Sequence, residues 1–431
     1  MNKELFDFIE ACPTPFHTVA HISDMLSDLG YTKLCEGEKW EIVPGKKYFV
    51  TRNHSSIIAF RVPASAVHSF MISASHDDFP TFFIKPNAEQ DNGNFLRIIT
   101  GQNSPSIYSS WLDRPLSVAG RVSVMTDDGI DVRLVDFKRP CLIIPNVAIH
   151  MNRSVNDGAK LNAATDMVPI YSTSDNASTF KKDLCALANT DMDHLVSYDL
   201  MLYNPMRGCE VNDMIIAPHL DDLMGVFGTL KGFCAASDFD GVMPVFCVFD
   251  NEEVGSATKQ GADSTFLYDT LIRVCEKLGL GAEDYRRAVS NGFMVSCDNS
   301  HCIHPNHPEF YDKNHTLKMN HGVVIKTNAN QRMSTDAVSW GVFSQICKRA
   351  NVPYQLHSPR SDLPGGSTLG NISNTQVSIK SVDIGLPQLA MHSCMESAGA
   401  RDIEYLVSAM TEYYSSAIFR NKDNNGYIIK K

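Results

Sequence analysis

The sequence predicts an α/β protein in which a mostly parallel sheet flanked by helices is interrupted by a β-rich insertion. Three observations predict it. From residue 213 onward, apolar strand-like runs alternate with helical periodicities, the pattern of strands lying side by side with helices on both faces. From about 91 to 212, helical spacing is nearly absent and short β-type runs dominate. The 431-residue length also exceeds what one hydrophobic core usually supports, so more than one domain is expected. The expected division is 1–90 and 213–431 for the two parts of the α/β domain and 91–212 for the insertion.

Thr14 is placed to N-cap an opening helix, with Pro15 at its first position, Val19, Ile22, Leu26 and Leu29 on one face and Gly30 at a left-handed stop. Residues 48–51, 56–62 and 69–75 read as strands, the last delivering His76-Asp77-Asp78 at its end. In the insertion, 121–126 and 130–137 form a hairpin through Asp127-Asp128-Gly129. The polar stretch 156–178 reads as a long loop, and 183–187 alone shows helical spacing. Ile215-Ile216-Ala217-Pro218 then runs into His219-Leu220-Asp221-Asp222, followed by Leu223, Val226, Phe227, Leu230 and Phe233 at helical spacing. The apolar run Pro244-Val245-Phe246-Cys247-Val248-Phe249 ends at Asp250. A helical stretch over 262–278, a strand over 292–297, a helix over 335–349, the run Val382-Asp383-Ile384-Gly385 and a C-terminal helix over 401–419 complete the chain.

Composition excludes several functions. A net charge of −11 argues against a nucleic-acid partner, whose phosphates require a basic face. The first ten residues lack the basic-then-apolar order of a secretory signal, and no run approaches the roughly 18 to 20 apolar residues of a membrane span. A cytoplasmic protein without a membrane partner is expected. The 12 cysteines include no Cys-x-x-Cys pair and read as reduced, buried small hydrophobes.

The chemistry concentrates where strands end. Glu252-Glu253 follows directly behind a buried strand, where an unpartnered carboxylate is costly and a divalent metal is the natural partner. His76 with Asp78, Asp221, Glu252 with Glu253, Asp298 and His392 all fall at or just beyond strand-like runs, and in a parallel sheet sites form beyond the carboxyl ends. Nitrogen and oxygen ligands without thiolate suit zinc, manganese or cobalt. His76 would bind metal through one ring nitrogen while Asp78 accepts a hydrogen bond from the other. Asp221 would bridge two cations, Glu253 and Asp298 would supply one carboxylate to each, and His392 would complete the second. Glu252 would then be the general base on the bridging water.

Four segments carry a resemblance in this order: Ser75-His76-Asp77-Asp78, Leu220-Asp221-Asp222-Leu223, Asp250-Asn251-Glu252-Glu253-Val254-Gly255-Ser256 and Pro387-Gln388-Leu389-Ala390-Met391-His392-Ser393. Together with Val147-Ala148-Ile149-His150 and Gly365-Gly366-Ser367-Thr368-Leu369-Gly370, they resemble the aspartyl aminopeptidase family of dinuclear zinc metallopeptidases. The resemblance implies an aminopeptidase acting on peptides with a free N-terminus and preferring aspartate or glutamate there. It also implies a zinc-peptidase-like catalytic domain with an oligomerisation domain inserted, and assembly to a dodecamer. The family's metal ligands fall on His76, Asp221, Glu253, Asp298 and His392, with zinc expected at two positions and its general base on Glu252. The pattern leaves Asp362, otherwise a rival to Asp298, near the substrate. The family's counterpart of His150 reaches a neighbouring subunit's active site.

Lys326, at the end of Gly322-Val323-Val324-Ile325, offers an ammonium to an acidic side chain, and His301 is placed to hydrogen-bond substrate or the metal shell. Asp77 and Asp222 depart from the family, which has a non-acidic residue and an asparagine there, and add negative charge. Alternative readings are a neutral-residue aminopeptidase, a dipeptidase or an N-acyl deacylase of the same architecture, and, from another class, a catalytically silent assembly or cargo protein. The glycine-rich 363–370 stretch lacks the Lys-Ser/Thr ending of a phosphate loop.

Overall fold

The computed structural model describes residues 1–176, 179–363, 366, 368–421 and 426–431. Gly365 and Ser367 of the glycine-rich motif, and the last two residues of the 156–178 stretch, lie outside the described residues. A nine-stranded sheet runs in the order Thr32–Leu34, Lys47–Arg52, Ser56–Arg61, Val242–Phe249, Ser69–His76, Phe293–Cys297, Lys380–Gly385, Val323–Lys326, Tyr354–His357. Five of its eight neighbour pairings are parallel and three antiparallel.

The strand Val242–Phe249 shows how sequence builds this layer. Val242, Phe246 and Val248 enter one apolar cluster, which includes side chains of helices Asn2–Ala11, Leu220–Ala235 and Asp402–Tyr414. Met243, Val245, Cys247 and Phe249 enter a second, with Phe266–Lys277 and Ala282–Ser290. Because successive strand side chains face opposite sides, a strand covered on both faces needs an unbroken apolar run. Pro244 is tolerated there because Ser56–Arg61 pairs only with Val245–Val248, leaving the proline outside that ladder. Helix Leu220–Ala235 packs against Asp402–Tyr414, whose Tyr413 hydroxyl donates to the carbonyls of Ile72 (2.9 Å) and Phe293 (2.7 Å).

A separate six-stranded antiparallel sheet runs Gly129–Asp136, Ser117–Thr126, Leu195–Tyr203, Phe82–Asp91, Phe95–Gln102, Ile170–Thr173. It encloses its own apolar cluster around Trp111, Val122, Phe180 and Leu200. The expected hairpin is present, closing at Thr126 opposite Gly129. The strand Ile170–Thr173 falls inside the stretch read as loop; its Ser and Thr content hid an edge strand. The C-terminal helix stops at Tyr414 rather than continuing to 419: Ser415 caps it, and Ala417–Arg420 turns into a hairpin with Tyr427–Lys430.

A five-stranded sheet, Cys209–Val211, Met214–Ala217, Glu396–Gly399, Pro387–Leu389, Ser300–His301, lies outside what the sequence reading anticipated. Among the described residues no helix is long and apolar enough to cross a membrane, and all twelve cysteines are free.

Candidate active site

The ligand candidates come from two sheets, where the sequence reading placed them at the end of one. His76 ends the strand Ser69–His76, the Glu252–Val254 turn follows Val242–Phe249, and Asp298 follows Phe293–Cys297, all at carboxyl ends of the large sheet. Asp221 and His392 instead follow Met214–Ala217 and Pro387–Leu389 of the five-stranded sheet. Gly385 lets the Asp298 segment lie close against the end of the neighbouring strand Lys380–Gly385, since a Cβ there would collide with the Asp298 carbonyl. The turn carrying the glutamates starts at Asn251 in the left-handed region (φ 66°), a conformation asparagine tolerates. The Asn251 Oδ1 accepts from Thr258 Oγ1 (3.0 Å) and Gln260 Nε2 (2.9 Å), fastening the turn to the loop behind it.

The structure brings His76, Asp221, Asp298, Glu252, Glu253 and His392 together. Ligand atoms of His76, Asp221 and Asp298 lie within 4.8 Å of one another, as do those of Asp221, Glu253 and His392, and those of His76, Glu252 and Glu253. Asp221 belongs to two of these groups and faces a different histidine with each oxygen: Oδ1 is 3.8 Å from His76 Nε2, and Oδ2 is 3.7 Å from His392 Nε2. Asp298 Oδ1 is 4.0 Å from His76 Nε2, and Glu253 Oε1 is 3.2 Å from His392 Nε2.

Asp78 does more than the sequence reading assigned it. His76 Nδ1 lies 3.1 Å from its backbone oxygen and 3.4 Å from Oδ1, and its two carboxylate oxygens accept the backbone N–H groups of Glu252 (2.9 Å) and Glu253 (3.0 Å). The residue beside His76 thus also holds the turn that carries the two glutamates.

The charges are strongly perturbed. Burial, reinforced by Asp298 and Glu253, pushes Asp221 up to about 7. Burial raises Glu252 well above the usual carboxylate range, with Asp298 and Glu253 adding and His76 opposing. Burial would lower His392, but the Glu253 hydrogen bond and charge carry it to about 9. Burial likewise opposes protonation of His76, which the Asp78 hydrogen bond and the charges of Glu252 and Asp222 nonetheless raise well above its ordinary value. Asp77 and Asp222, the two extra acids, are fully buried. Neither oxygen of Asp77 has a hydrogen-bond partner among the described residues, nor do Asp221 Oδ1 and Asp222 Oδ1. Carboxylates buried this densely must hold protons or cations. The orphaned Asp221 Oδ1, set among imidazole nitrogens and carboxylate oxygens, fits a divalent cation such as zinc.

A cavity of about 540 Å³ opens over the cluster and is also lined by His301, Lys326, His357 and the apolar Phe310, Met333 and Leu363. Lys326 reaches it from a strand running against its neighbour, paired opposite Asp383, so it enters by the length of its side chain. Its Nζ donates to the Asn299 carbonyl at 3.0 Å and lies 3.3 Å from Asp298 Oδ2. Asp362 stands apart from the cluster, exposed and chelated by Arg360. His150 sits on an exposed turn of the insertion and does not line this cavity within the chain.

Two features escaped the sequence reading. Buried Glu396 accepts the backbone N–H of Asp221 (3.0 Å) and of His392 (2.8 Å); its only signal was an acid opening a small-residue run four positions after His392. The His392 segment is also held by residues of the 91–212 span. His392 Nδ1 lies 2.9 Å from the Pro105 carbonyl, Ile107 N–H donates to the His392 carbonyl (3.0 Å), Cys394 N–H donates to Ser110 Oγ (2.9 Å), and Asn204 Nδ2 donates to the Cys394 carbonyl (3.1 Å).

A mixed α/β fold with imidazoles and carboxylates converging at strand ends defines a class, the metallo-hydrolases. A family model described as "Aminopeptidase I zinc metalloprotease (M18)" matches residues 8–414. The "Probable M18 family aminopeptidase 2" of Clostridium acetobutylicum is 41% identical over 425 residues, covering 96% of this chain and 98% of that protein. Among solved structures, the chain resembles that titled "Cryo-EM structure of the Ape4 and Nbr1 complex" at TM-score 0.91 and 33% identity, covering 96% of this chain and 85% of that one. It shares the fold of the mApe1 dodecamer of S. cerevisiae at TM-score 0.83 and 24% identity, covering 96% of this chain and 95% of that one. The chain belongs to the M18 family of zinc metallopeptidases and is a metal-dependent aminopeptidase.

Proposed function

We propose that the enzyme, acting in the cytoplasm, removes N-terminal aspartate or glutamate from peptides and works with two divalent cations, zinc first. The observation that carries this reading is the pair of Asp221 oxygens, each facing a different histidine. His76, Asp221 and Asp298 would hold one cation, and Asp221, Glu253 and His392 the other. When bound, the ions supply Lewis-acid polarisation of the scissile carbonyl and acidify the attacking water. Glu252 takes the proton from that water and returns it to the leaving nitrogen. Asp78 keeps Glu252 in place through its backbone N–H and keeps His76 oriented.

Lys326 faces the substrate cavity and supplies the positive field for an acidic first side chain, while His301, held below its ordinary pKa by burial and the Lys326 charge, offers a neutral ring to hydrogen-bond substrate. Lys326 is 3% exposed, and a cation shielded from water attracts a carboxylate more strongly than one at the surface. The apolar Phe310, Met333 and Leu363 would accept the following residues of the peptide.

The insertion, residues 91–212 with the strand Phe82–Asp91 that feeds its sheet, is proposed as the oligomerisation domain of a dodecamer in which His150 serves a neighbouring subunit's site. Support comes from its outward apolar row Ile130, Val132 and Leu134 (56%, 48% and 42% exposed) and from Met151 at 82%, since such patches mark association surfaces. A panel of aminoacyl chromogenic substrates, run before and after metal stripping and replacement, tests the whole reading. A preference for leucine over aspartate would reject the acidic specificity, and activity undiminished without metal would reject the mechanism.

A further inference from the structure

Glu396 touches no ligand atom, yet it is bonded to the main chain of two proposed ligands. It opens the strand Glu396–Gly399 opposite Ala217, the last strand residue before the segment that delivers Asp221. Its Oε2 accepts Asp221 N–H, 175 residues earlier in the chain, and its Oε1 accepts His392 N–H. The carboxylate is 3% exposed and no ion pair involving it is present among the described residues. The hydrogen bonds it accepts among the described residues come from these two N–H donors.

Both anchored residues sit in backbone that does not hold itself. Asp221 departs from helical geometry inside Leu220–Ala235 (φ −89°, ψ 108°), so its N–H is one of the orphan donors of a helix start. His392 is left-handed at φ 67° and follows Ala390 at φ 58°, conformations that non-glycine residues keep only when their surroundings impose them.

We propose that Glu396 is a positioning residue that fixes the spacing between Asp221 and His392 and thereby sets the affinity of the second cation position, that of Asp221, Glu253 and His392. This rests on the ligand assignment above. A carboxylate is suited to the task because it has one acceptor oxygen for each N–H. An amide has only one acceptor and turns its NH₂ against the other donor, and an aspartate is too short to reach both.

The test uses the full chain, stripped of metal and titrated with Zn²⁺ in competition with a chromophoric chelator. Wild type is expected to bind two ions. Glu396→Gln is expected to weaken the position of Asp221, Glu253 and His392 by about 10- to 100-fold, the range typical of groups that orient ligands, and the position of His76, Asp221 and Asp298, which keeps two ligands not anchored by Glu396, far less. Its kcat should fall at limiting zinc and recover at saturating zinc with KM little altered, which a merely structural role would not produce. Glu396→Asp, which keeps a carboxyl group but is too short to reach both donors, should act in the same direction and serves if the glutamine variant folds poorly. Unchanged affinity at both sites, or equal loss at both, overturns the proposal. His392→Ala separates the two levels of inference. If it still binds two ions tightly, the ligand assignment fails; if it loses one while both Glu396 variants lose none, only the positioning role fails.

Discussion

Lys326 Nζ lies 3.3 Å from Asp298 Oδ2, and both side chains are almost wholly buried. The ammonium therefore faces a proposed ligand on one side and the substrate cavity on the other. Lys326→Met should lower kcat/KM for an aspartyl substrate by about two orders of magnitude, in the range for removing one partner of a buried charge pair. It should lower that for a leucyl substrate far less. Steady-state kinetics on the two substrates measure the ratio, and equal losses would place the effect on Asp298 rather than on specificity.

Glu252→Gln keeps shape and removes the base. Activity should fall by roughly 10²- to 10⁴-fold while zinc content, measured by elemental analysis, stays at the wild-type level. Near-normal turnover would mean that another group moves the proton.

Metal removal should destabilise the protein, and increasingly so as pH rises. Without metal, burial holds Asp221 and Asp250 near 7, above an unfolded value of about 4, so the folded state binds more protons across that window. Stability of the metal-free protein then declines as pH climbs from about 4 to 7. His392, raised to about 9, works in the same direction: its contribution is complete below about 6.5 and is lost through 9. Cations favour the deprotonated ligands, so the gap in Tm between loaded and chelator-treated protein should widen between pH 5.5 and 8 in thermal melts.

Assembly is checked by light scattering. A mass near twelve times 47.8 kDa is expected, and Val132→Lys, on the outward row of the insertion, should shift the distribution to smaller species. A monomeric wild type would remove both the dodecamer and the proposed role of His150.

Much of the large sheet was legible because its strands are long apolar runs with an abrupt acid at the end, as in Val242–Phe249 before Asp250. The five-stranded sheet was not, since Met214–Ala217 and Pro387–Leu389 have only four and three residues, too few to show a period. Hence Asp221 and His392 could be picked out as ligand types but not assigned to the sheet that carries them. Glu396 was hidden for a different reason: its partners are two backbone N–H groups, which leave no trace in residue identity. Lys326 was readable as a strand-end cation, whereas the direction of its strand depends on pairing with Lys380–Gly385.

The bond between His392 and the Pro105 carbonyl bears on modularity. With Nδ1–H engaged by that carbonyl, Nε2 is the nitrogen left to give up its proton and offer a lone pair beside Asp221 and Glu253, so the choice of donor atom is made by a loop that sequence order assigns to the insertion. A chain from which residues 91–212 were cut, or in which they were exchanged for an unrelated stretch, would lose the clasp on His392.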